Sequence, residues 1–318
     1  MREKSKLKVN IVILNYNGKD MLGECLPWIL EAARSASYAC GVTVIDNASS
    51  DGSVEFLEKN FKEVKIDKRP DNKVLCAFNG LLEKSDEDIS ILLNSDMKVD
   101  PGFVDPLVEV FYKHLDVFLV VPKIMSFDGA SCENGKGRTM VKYGMFRFLS
   151  RYPGYENDID KQAIISHSAN GAFYRERFVA LGGFDDLYLP GIMEDADLCY
   201  RAYKKGFKCY YEPKSVIFHK GRESFKKVFK EKKIDALATR NTYLFIWKNI
   251  RSARFMAAHL FFMQPWIMYW LFTGKFELIC AFFGAVARLP KALIRRQRQS
   301  REHILRDDEE VLEIITNN

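Results

Sequence analysis

A chain of 318 residues with 47% apolar content has room for one large domain or two small ones around a substantial core, so an ordinary globular fold is expected. Its net charge of +6 suits an anionic partner, whether a nucleotide, a phospholipid surface or a nucleic acid, without choosing among them. Seven cysteines with no Cys-x-x-Cys pair fit neither a disulfide framework nor a zinc ribbon, which leaves a reducing compartment as the simpler reading.

The first eight residues are positive, but the apolar run 9–14 that follows is short and carries Asn10, so no secretory signal is expected. Strand-like runs at 9–14, 42–46, 89–94 and 117–121 alternate with helical patterns, which argues for a parallel sheet covered on both faces. After the turn Asn15-Tyr16-Asn17-Gly18, the residues Leu22, Leu26, Ile29 and Leu30 recur at helical spacing, with Pro27 expected to kink or restrict that helix. A second helix is expected from about Ser53, with Val54, Leu57 and Phe61 on its buried side. Residues 126–160 are rich in glycine and polar side chains and read as a long connection near a site. Order returns at Gly182-Gly183-Phe184-Asp185 and in a helix from about Glu194 that Gly206 stops. Strands at 208–212 and 215–219 are then separated by Pro213.

Four segments carry polar groups at the ends of these elements: Asn15-Tyr16-Asn17, the run from Asp46 to Ser53, Asn94-Ser95-Asp96, and Glu194-Asp195-Ala196-Asp197-Leu198. Three follow expected parallel strands, so their side chains converge on one carboxyl edge, where open α/β sheets bind ligands. Asp46 there either accepts the imide N–H of a uracil or thymine ring or forms a turn; Asp51 and Ser53 read as turn and cap residues. Tyr16 either stacks on a base or roofs the core. Asp96 suits a hard cation such as Mg2+ or Mn2+, which needs few protein carboxylates when a diphosphate supplies oxygens, although a strand-ending aspartate is more often a turn former. Asn94 and Ser95 add hydrogen bonds to a sugar or to metal-bound water.

Glu194 and Asp195 open a helix, where the dipole favours carboxylates, so capping competes with chemistry there. Asp195 and Asp197 point to different sides, and Asp197 with Arg201 four residues on forms a local pair. That frees Asp195, ahead of Glu194, to act as a base toward a substrate hydroxyl. His219, at the end of Val216-Ile217-Phe218, becomes a metal ligand only if Asp96 is close.

In this order the segments resemble an inverting family-two glycosyltransferase with the GT-A fold, of the kind that includes bacterial rhamnosyltransferase-like enzymes. The resemblance runs from Val9 to about Lys248 and rests on Ile11-Val12-Ile13-Leu14-Asn15-Tyr16-Asn17-Gly18, Val44-Ile45-Asp46-Asn47-Ala48-Ser49-Ser50-Asp51-Gly52-Ser53, Leu92-Leu93-Asn94-Ser95-Asp96, Gly182-Gly183-Phe184-Asp185 and Glu194-Asp195-Ala196-Asp197-Leu198-Cys199-Tyr200-Arg201. It implies an α/β fold of GT-A type, a Rossmann-like, mostly parallel sheet with flanking helices. The glycosyltransferase domain would occupy residues 1–250, with a nucleotide half at about 1–100 and an acceptor half at about 101–225. Asp46 would read the base, Asp96 and His219 hold Mn2+ or Mg2+ on a donor diphosphate, and Asp195 deprotonate the acceptor. Asn15, Tyr16, Asn17, Asn94, Ser95, Glu194 and Arg201 would line the substrate site. The family usually has Asp-x-Asp at the metal motif, and here the first position is Asn94. The partners implied are a nucleotide-sugar donor and a saccharide or lipid-linked acceptor in cell-surface polysaccharide synthesis, with no nucleic acid. A sugar nucleotidyltransferase, which can use a related α/β fold, is the runner-up enzyme, with its missing Gly-rich N-terminal loop counting against it; a degenerate, membrane-bound scaffold is the non-enzymatic alternative.

Residues 251–318 read as a C-terminal helical region that associates with a membrane. Residues 255–273 are almost wholly apolar apart from His259, Gln264 and Pro265, and 276–289 form a second apolar stretch. Trp266, Tyr269 and Trp270 with the basic flank Arg288, Lys291, Arg295, Arg296, Arg298 and Arg301 suit a bent hairpin on the cytoplasmic face of the cell membrane. A true span and a buried helix pair forming a homo-oligomer contact are the alternatives. A further basic group, Arg222, Lys226, Lys227, Lys230, Lys232 and Lys233, reads as a solvated face or a second lipid contact.

Overall fold

The computed structural model describes residues 7–134, 136–157, 159–220, 231–300 and 304–316. Of the basic group at 222–233, all but Lys232 and Lys233 lie outside these, as does Arg301.

Strand β1 (Lys8–Asn15), helix α1 (Lys19–Ser35), strand β2 (Ala39–Asp46), helix α2 (Ser53–Asn60) and strand β3 (Lys65–Lys68) begin the chain, followed by the short helix α3 (Ala77–Leu82) and strand β4 (Ile89–Asn94). β1 pairs in parallel with both β2 and β4, and β2 with β3. The side-chain period of two divides the central strands between two cores. Val12 and Leu92 join one apolar cluster, while Ile11, Ile13, Ile91 and Leu93 join the other, where α1 packs through Leu22, Leu26 and Ile29. α1 continues through Pro27, which lies on its exposed side.

β5 (Met97–Val99), α4 (Val104–Lys113) and β6 (Val117–Ser126) follow, then β7 (Cys132–Asn134), the hairpin β8 (Arg138–Lys142) and β9 (Met145–Leu149), β10 (Ala163–Ile164), β11 (Gly171–Tyr174), α5 (Arg175–Ala180), α6 (Glu194–Lys204) and β12 (Lys208–His219). The stretch read as a connection thus holds three strands. The main path of the large sheet runs β10-β12-β6-β11-β4-β1-β2-β3, with β5 and β7 paired off it. It is mostly parallel, but β11 runs antiparallel to both β4 and β6. The two expected strands around Pro213 form one strand, β12, with an irregularity between Glu212 and Val216 that absorbs the proline.

Helices α7 (Glu231–Asn249), α8 (Ala253–Phe272), α9 (Phe276–Ser300) and α10 (Asp308–Thr316) complete the chain. Among the described residues no helix is long and apolar enough to cross a membrane. α8 docks on the β8–β9 turn: His259 Nδ1 donates to Gly144 O at 2.9 Å and Trp266 Nε1 to Tyr143 O at 3.1 Å. The approach is so close that a Cβ on Gly144 would lie 2.7 Å from Ala258 O. Two of the aromatic residues expected at a membrane boundary are therefore turned inward. Trp270 is 5% exposed and Trp266 stacks on it at 6.1 Å, whereas Tyr269, the third of them, is exposed, as are Phe261, Phe272, Phe276 and Phe283. α10 returns to the body, where Asp308 accepts from Tyr200 Oη at 2.7 Å and pairs with Lys204 at 2.5 Å.

Candidate active site

Because β1, β2 and β4 are parallel and adjacent, their carboxyl ends deliver three polar turns to one edge. At the first, Asn15 Nδ2 donates to Asp46 Oδ1 and to Ser49 Oγ, both at 3.2 Å, and Ser49 N donates to Asp46 Oδ2 at 3.0 Å. These bonds hold the buried Asp46 carboxylate facing the turn. Asn17 staples the same two turns, its backbone N donating to Ser49 Oγ and its Oδ1 accepting from Ser50 N at 2.7 Å. Asp51 accepts from Lys19 N at 2.9 Å and from Ser53 N at 3.0 Å, the turn-building role expected of it. Tyr16 is 42% exposed, so it does not roof the core.

Gly18 is the junction between this turn and the next. A Cβ there would sit 2.6 Å from Asn15 Oδ1 and 2.8 Å from Ser95 Oγ. Asn94 closes β4 in register with Leu14, and Ser95 N donates to Leu14 O at 3.1 Å. Asp96 follows, 7% exposed, and the pairing of Met97 with His219 brings the end of β12 alongside it. His219 Nε2 lies 3.5 Å from Asp96 Oδ2, and His219 Nδ1 donates to Glu133 Oε2 at 3.0 Å. Burial favours the neutral imidazole, but the two carboxylates outweigh it and raise the His219 pKa.

Asp96 Oδ1 is buried and has no hydrogen-bond partner among the described residues. Leaving such an acceptor unmade costs about 1–3 kcal/mol or more when it is charged, and a cation is the partner an anionic oxygen beside an imidazole would take. The pair therefore fits a hard divalent cation. No three His, Cys, Asp or Glu side chains among the described residues form a complete cage, and Mg2+-type sites commonly draw their remaining ligands from water and substrate phosphates.

A second polar group lies at the head of α6. Ile192 and Met193 both adopt left-handed backbone (φ 73 and 85), conformations that cost about 1–3 kcal/mol each unless the surroundings impose them. Asn241 of α7 does so, donating to the carbonyls of Tyr188, Gly191 and Ile192 at 2.7–2.8 Å. Glu194 is buried, and desolvation pushes its pKa up to about 8, so it holds its proton at neutral pH. Asp195 is half-buried, accepts from Ala196 N at 2.8 Å and lies within the field of the buried His167, whose pKa burial lowers.

Asp197 turns the other way, as its spacing demands. It is fully buried and accepts from Tyr188 Oη (2.7 Å), Asn249 Nδ2 (2.8 Å), Lys248 Nζ (2.7 Å) and Arg201 Nε (2.8 Å). Arg201 also donates to the carbonyls of Leu181 and Gly183. This places the arginine inside the fold, on the Gly182-Gly183 turn, and its guanidinium is committed there.

The structure thus gathers Asn15, Asp46, Ser95, Asp96 and His219 at one edge, with Tyr16 exposed beside them, and sets Glu194, Asp195 and Arg201 in a separate group. Three charged or titratable residues in and around these groups escaped the sequence reading. Glu133 stood in a stretch without periodicity and carried no signal. His167, in Ser166-His167-Ser168, carried none either. Lys248 did: a lysine ending Leu244-Phe245-Ile246-Trp247 on a helix requires a buried counter-charge.

A mixed, mostly parallel sheet with helices on both faces and carboxylates at the ends of its second and fourth strands defines a GT-A type protein. The model of the family Glycosyl transferase family 2 matches residues 10–180, more than half of the chain, and the chain belongs to that family. No curated protein matches it. Among solved structures, GalNAc-T7 crystallised with UDP, GalNAc and Mn2+ is similar at a TM-score of 0.54 and 17% identity, over 76% of this chain and 51% of that one. S. aureus TarS 1-349 in complex with UDP-GlcNAc is similar at a TM-score of 0.54 and 13% identity, over 91% of this chain and 84% of that one. The chain therefore spans about half the length of GalNAc-T7, and at these identities the likeness shows the fold alone.

Proposed function

We propose that this chain transfers a hexosyl or deoxyhexosyl group from a nucleoside diphosphate sugar to a hydroxyl of a saccharide or lipid-linked acceptor, with inversion, in cell-surface polysaccharide synthesis. The observation that carries this reading is the buried Asp96, its Oδ1 unpartnered among the described residues, beside His219 and one parallel strand away from the fixed Asp46 carboxylate. Asp46, held by Asn15 and Ser49, would accept an imide N–H from a uracil or thymine base through a remaining lone pair. Tyr16, exposed next to it, supplies a ring face. Asp96 and His219 would hold Mn2+ or Mg2+, which when bound offsets the negative charge of the diphosphate leaving group. Glu133 fixes the His219 ring through Nδ1, leaving Nε2 for the metal. Asp195 takes the proton of the acceptor hydroxyl, and Glu194, protonated at neutral pH, keeps a second negative charge away from it.

Residues 251–300 supply the surface at which the enzyme works. Phe272 is 87% exposed, and Phe261, Phe276 and Phe283 are also open to solvent on the α8–α9 hairpin. Exposed aromatic residues followed by a basic helix suit the interface of an anionic membrane on its cytoplasmic side. The test of the reading is turnover of a panel of UDP- and dTDP-sugars with Mn2+, together with flotation on anionic vesicles. Hydrolysis or transfer from at least one donor is expected. Absence of both turnover and Mn2+-dependent donor binding across the panel would remove the transferase assignment.

A further inference from the structure

The basic flank of the C-terminal helix is one run in sequence but two populations in space. Arg288, Lys291, Arg295 and Arg298 recur at spacings of three and four along α9 and so share one face. Arg288 donates to Leu187 O and Leu189 O, both at 2.9 Å, and Arg295 pairs with Asp185 at 3.1 Å and with Asp186. These two arginines fasten the loop after Gly182-Gly183-Phe184 against the helix. Lys291 and Arg298 alternate with them, are exposed, and have no hydrogen bond or ion pair among the described residues.

Between that loop and the helix lies a cleft of about 430 Å³, lined by Asp186, Leu187, Leu189, Arg288, Lys291, Ile294, Arg295 and Arg298. Four cationic side chains face one carboxylate, so the lining keeps a net positive charge. A fifth cation, Arg240, stands behind Arg288, and burial together with that neighbour pushes its pKa down to about 10. On the same helix Phe283, Val286, Leu293 and Ile294 are 40–62% exposed, with Ile294 in the cleft itself.

We propose that this cleft is a second anion site, separate from the strand-end carboxylates, that takes the phosphate or diphosphate headgroup of a membrane lipid. The charge excess selects the anion, and the loop carbonyls already occupied by Arg288 leave Lys291 and Arg298 as the free donors for its oxygens. The apolar side chains on the same helix select a phosphate carried on hydrocarbon over a free one. The inference rests on the membrane-surface part of the function proposed above, and gives that surface a headgroup chemistry.

The test uses the full chain and flotation on three vesicles: phosphatidylcholine alone, phosphatidylcholine with phosphatidic acid, and phosphatidylcholine with oleate at matched surface charge. Wild type should prefer the phosphatidic acid vesicles over both others. The double substitution Lys291→Glu and Arg298→Glu should weaken that binding by at least about thirtyfold, from ~1 kcal/mol per basic residue lost at an anionic surface, with no change in melting temperature. Lys59→Glu with Lys62→Glu, on the opposite part of the chain, serves as the charge control and should change phosphatidic acid binding little. Equal binding to phosphatidic acid and oleate vesicles, or equal losses in the two double variants, would reduce the cleft to general surface charge and overturn the site. A melting shift with inorganic phosphate alone, lost in the Lys291/Arg298 variant, would reassign it to a soluble phosphate. If no vesicle is bound, the surface reading fails along with the site. The Mn2+–UDP melting shift, measured on the same samples, shows separately whether the donor reading stands.

Discussion

Two buried aspartates, Asp96 and Asp197, sit in environments of opposite completeness. Asp197 has a tyrosine, an asparagine, a lysine and an arginine around it; desolvation alone would raise its pKa, but Lys248 and Arg201 outweigh this and hold it well below the usual carboxylate range. Asp96 has one imidazole beside Oδ2, and its Oδ1 is unpartnered among the described residues. A buried charge whose lone pairs are all used holds the fold together. One left short of partners weakens the apo fold and is poised for a ligand that completes it. The same residue type therefore divides between architecture and chemistry by what surrounds it.

Removing a partner should break the complete site hardest. Asp197→Asn leaves Lys248 with Asp185 alone and should destabilise the protein by about 3–5 kcal/mol in chemical denaturation, the usual range for breaking a buried ion pair. A loss below ~1 kcal/mol would mean that the network carries little of the fold.

Asp195 tests the division from the catalytic side. Asp195→Asn should lower sugar transfer by about 10²–10⁴-fold while donor binding and melting temperature stay near wild type, because among the described residues its carboxylate bonds to the adjacent amide alone. Unchanged turnover would transfer the base role elsewhere. Glu133→Gln is a smaller perturbation. It keeps the shape but weakens the hold on His219, and Mn2+ affinity should fall by about 10–100-fold, as is usual for outer-shell partners of a metal-binding histidine. Titration of Mn2+ in the presence of UDP reads it directly.

A further effect is in the pH dependence of stability. Between glutamate's ordinary pKa and about 8, folded Glu194 keeps a proton that the unfolded chain has released, so stability falls as pH rises through that window. Glu194→Gln should flatten this decline in melting curves taken at about pH 5 and about pH 8. Asp197 contributes with the opposite sign: its depressed pKa gives stability that is present above the unfolded value and lost as the pH falls through the folded one. An unaltered alkaline decline in the Glu194 variant would show that another group controls it.

Much of this was legible in the sequence because the signals were local. The runs ending at Asn15, Asp46 and Asn94 read as parallel strands since they are buried on both faces and therefore continuously apolar, and the turn chemistry of Asp51 and Ser53 followed from residue type. The antiparallel β11 was not legible: Gly171–Tyr174 is four residues long, and its direction is set by the chain returning between β4 and β6. The Asp96–His219 pairing was legible only as a condition, since it depends on the register of β5 with β12. Glu133 and His167 depend on tertiary approach from segments with no periodic pattern. The basic flank of α9 shows the same limit, because which cations turn inward is decided by the carbonyls of Leu187 and Leu189, far away in sequence.

The central claim is that Asp96 is incomplete without a cation and a diphosphate. Thermal unfolding of wild type and Asp96→Asn, each alone and with Mn2+ plus UDP, tests it most directly. Wild type should gain melting temperature only when both are present, by mass action on the folded state. Asp96→Asn should melt at or near the wild-type apo temperature, because the buried charge with an oxygen left short of a partner is gone, and should show no Mn2+-dependent gain. A variant that melts well below wild type, or that keeps the full Mn2+–UDP shift, would contradict the account.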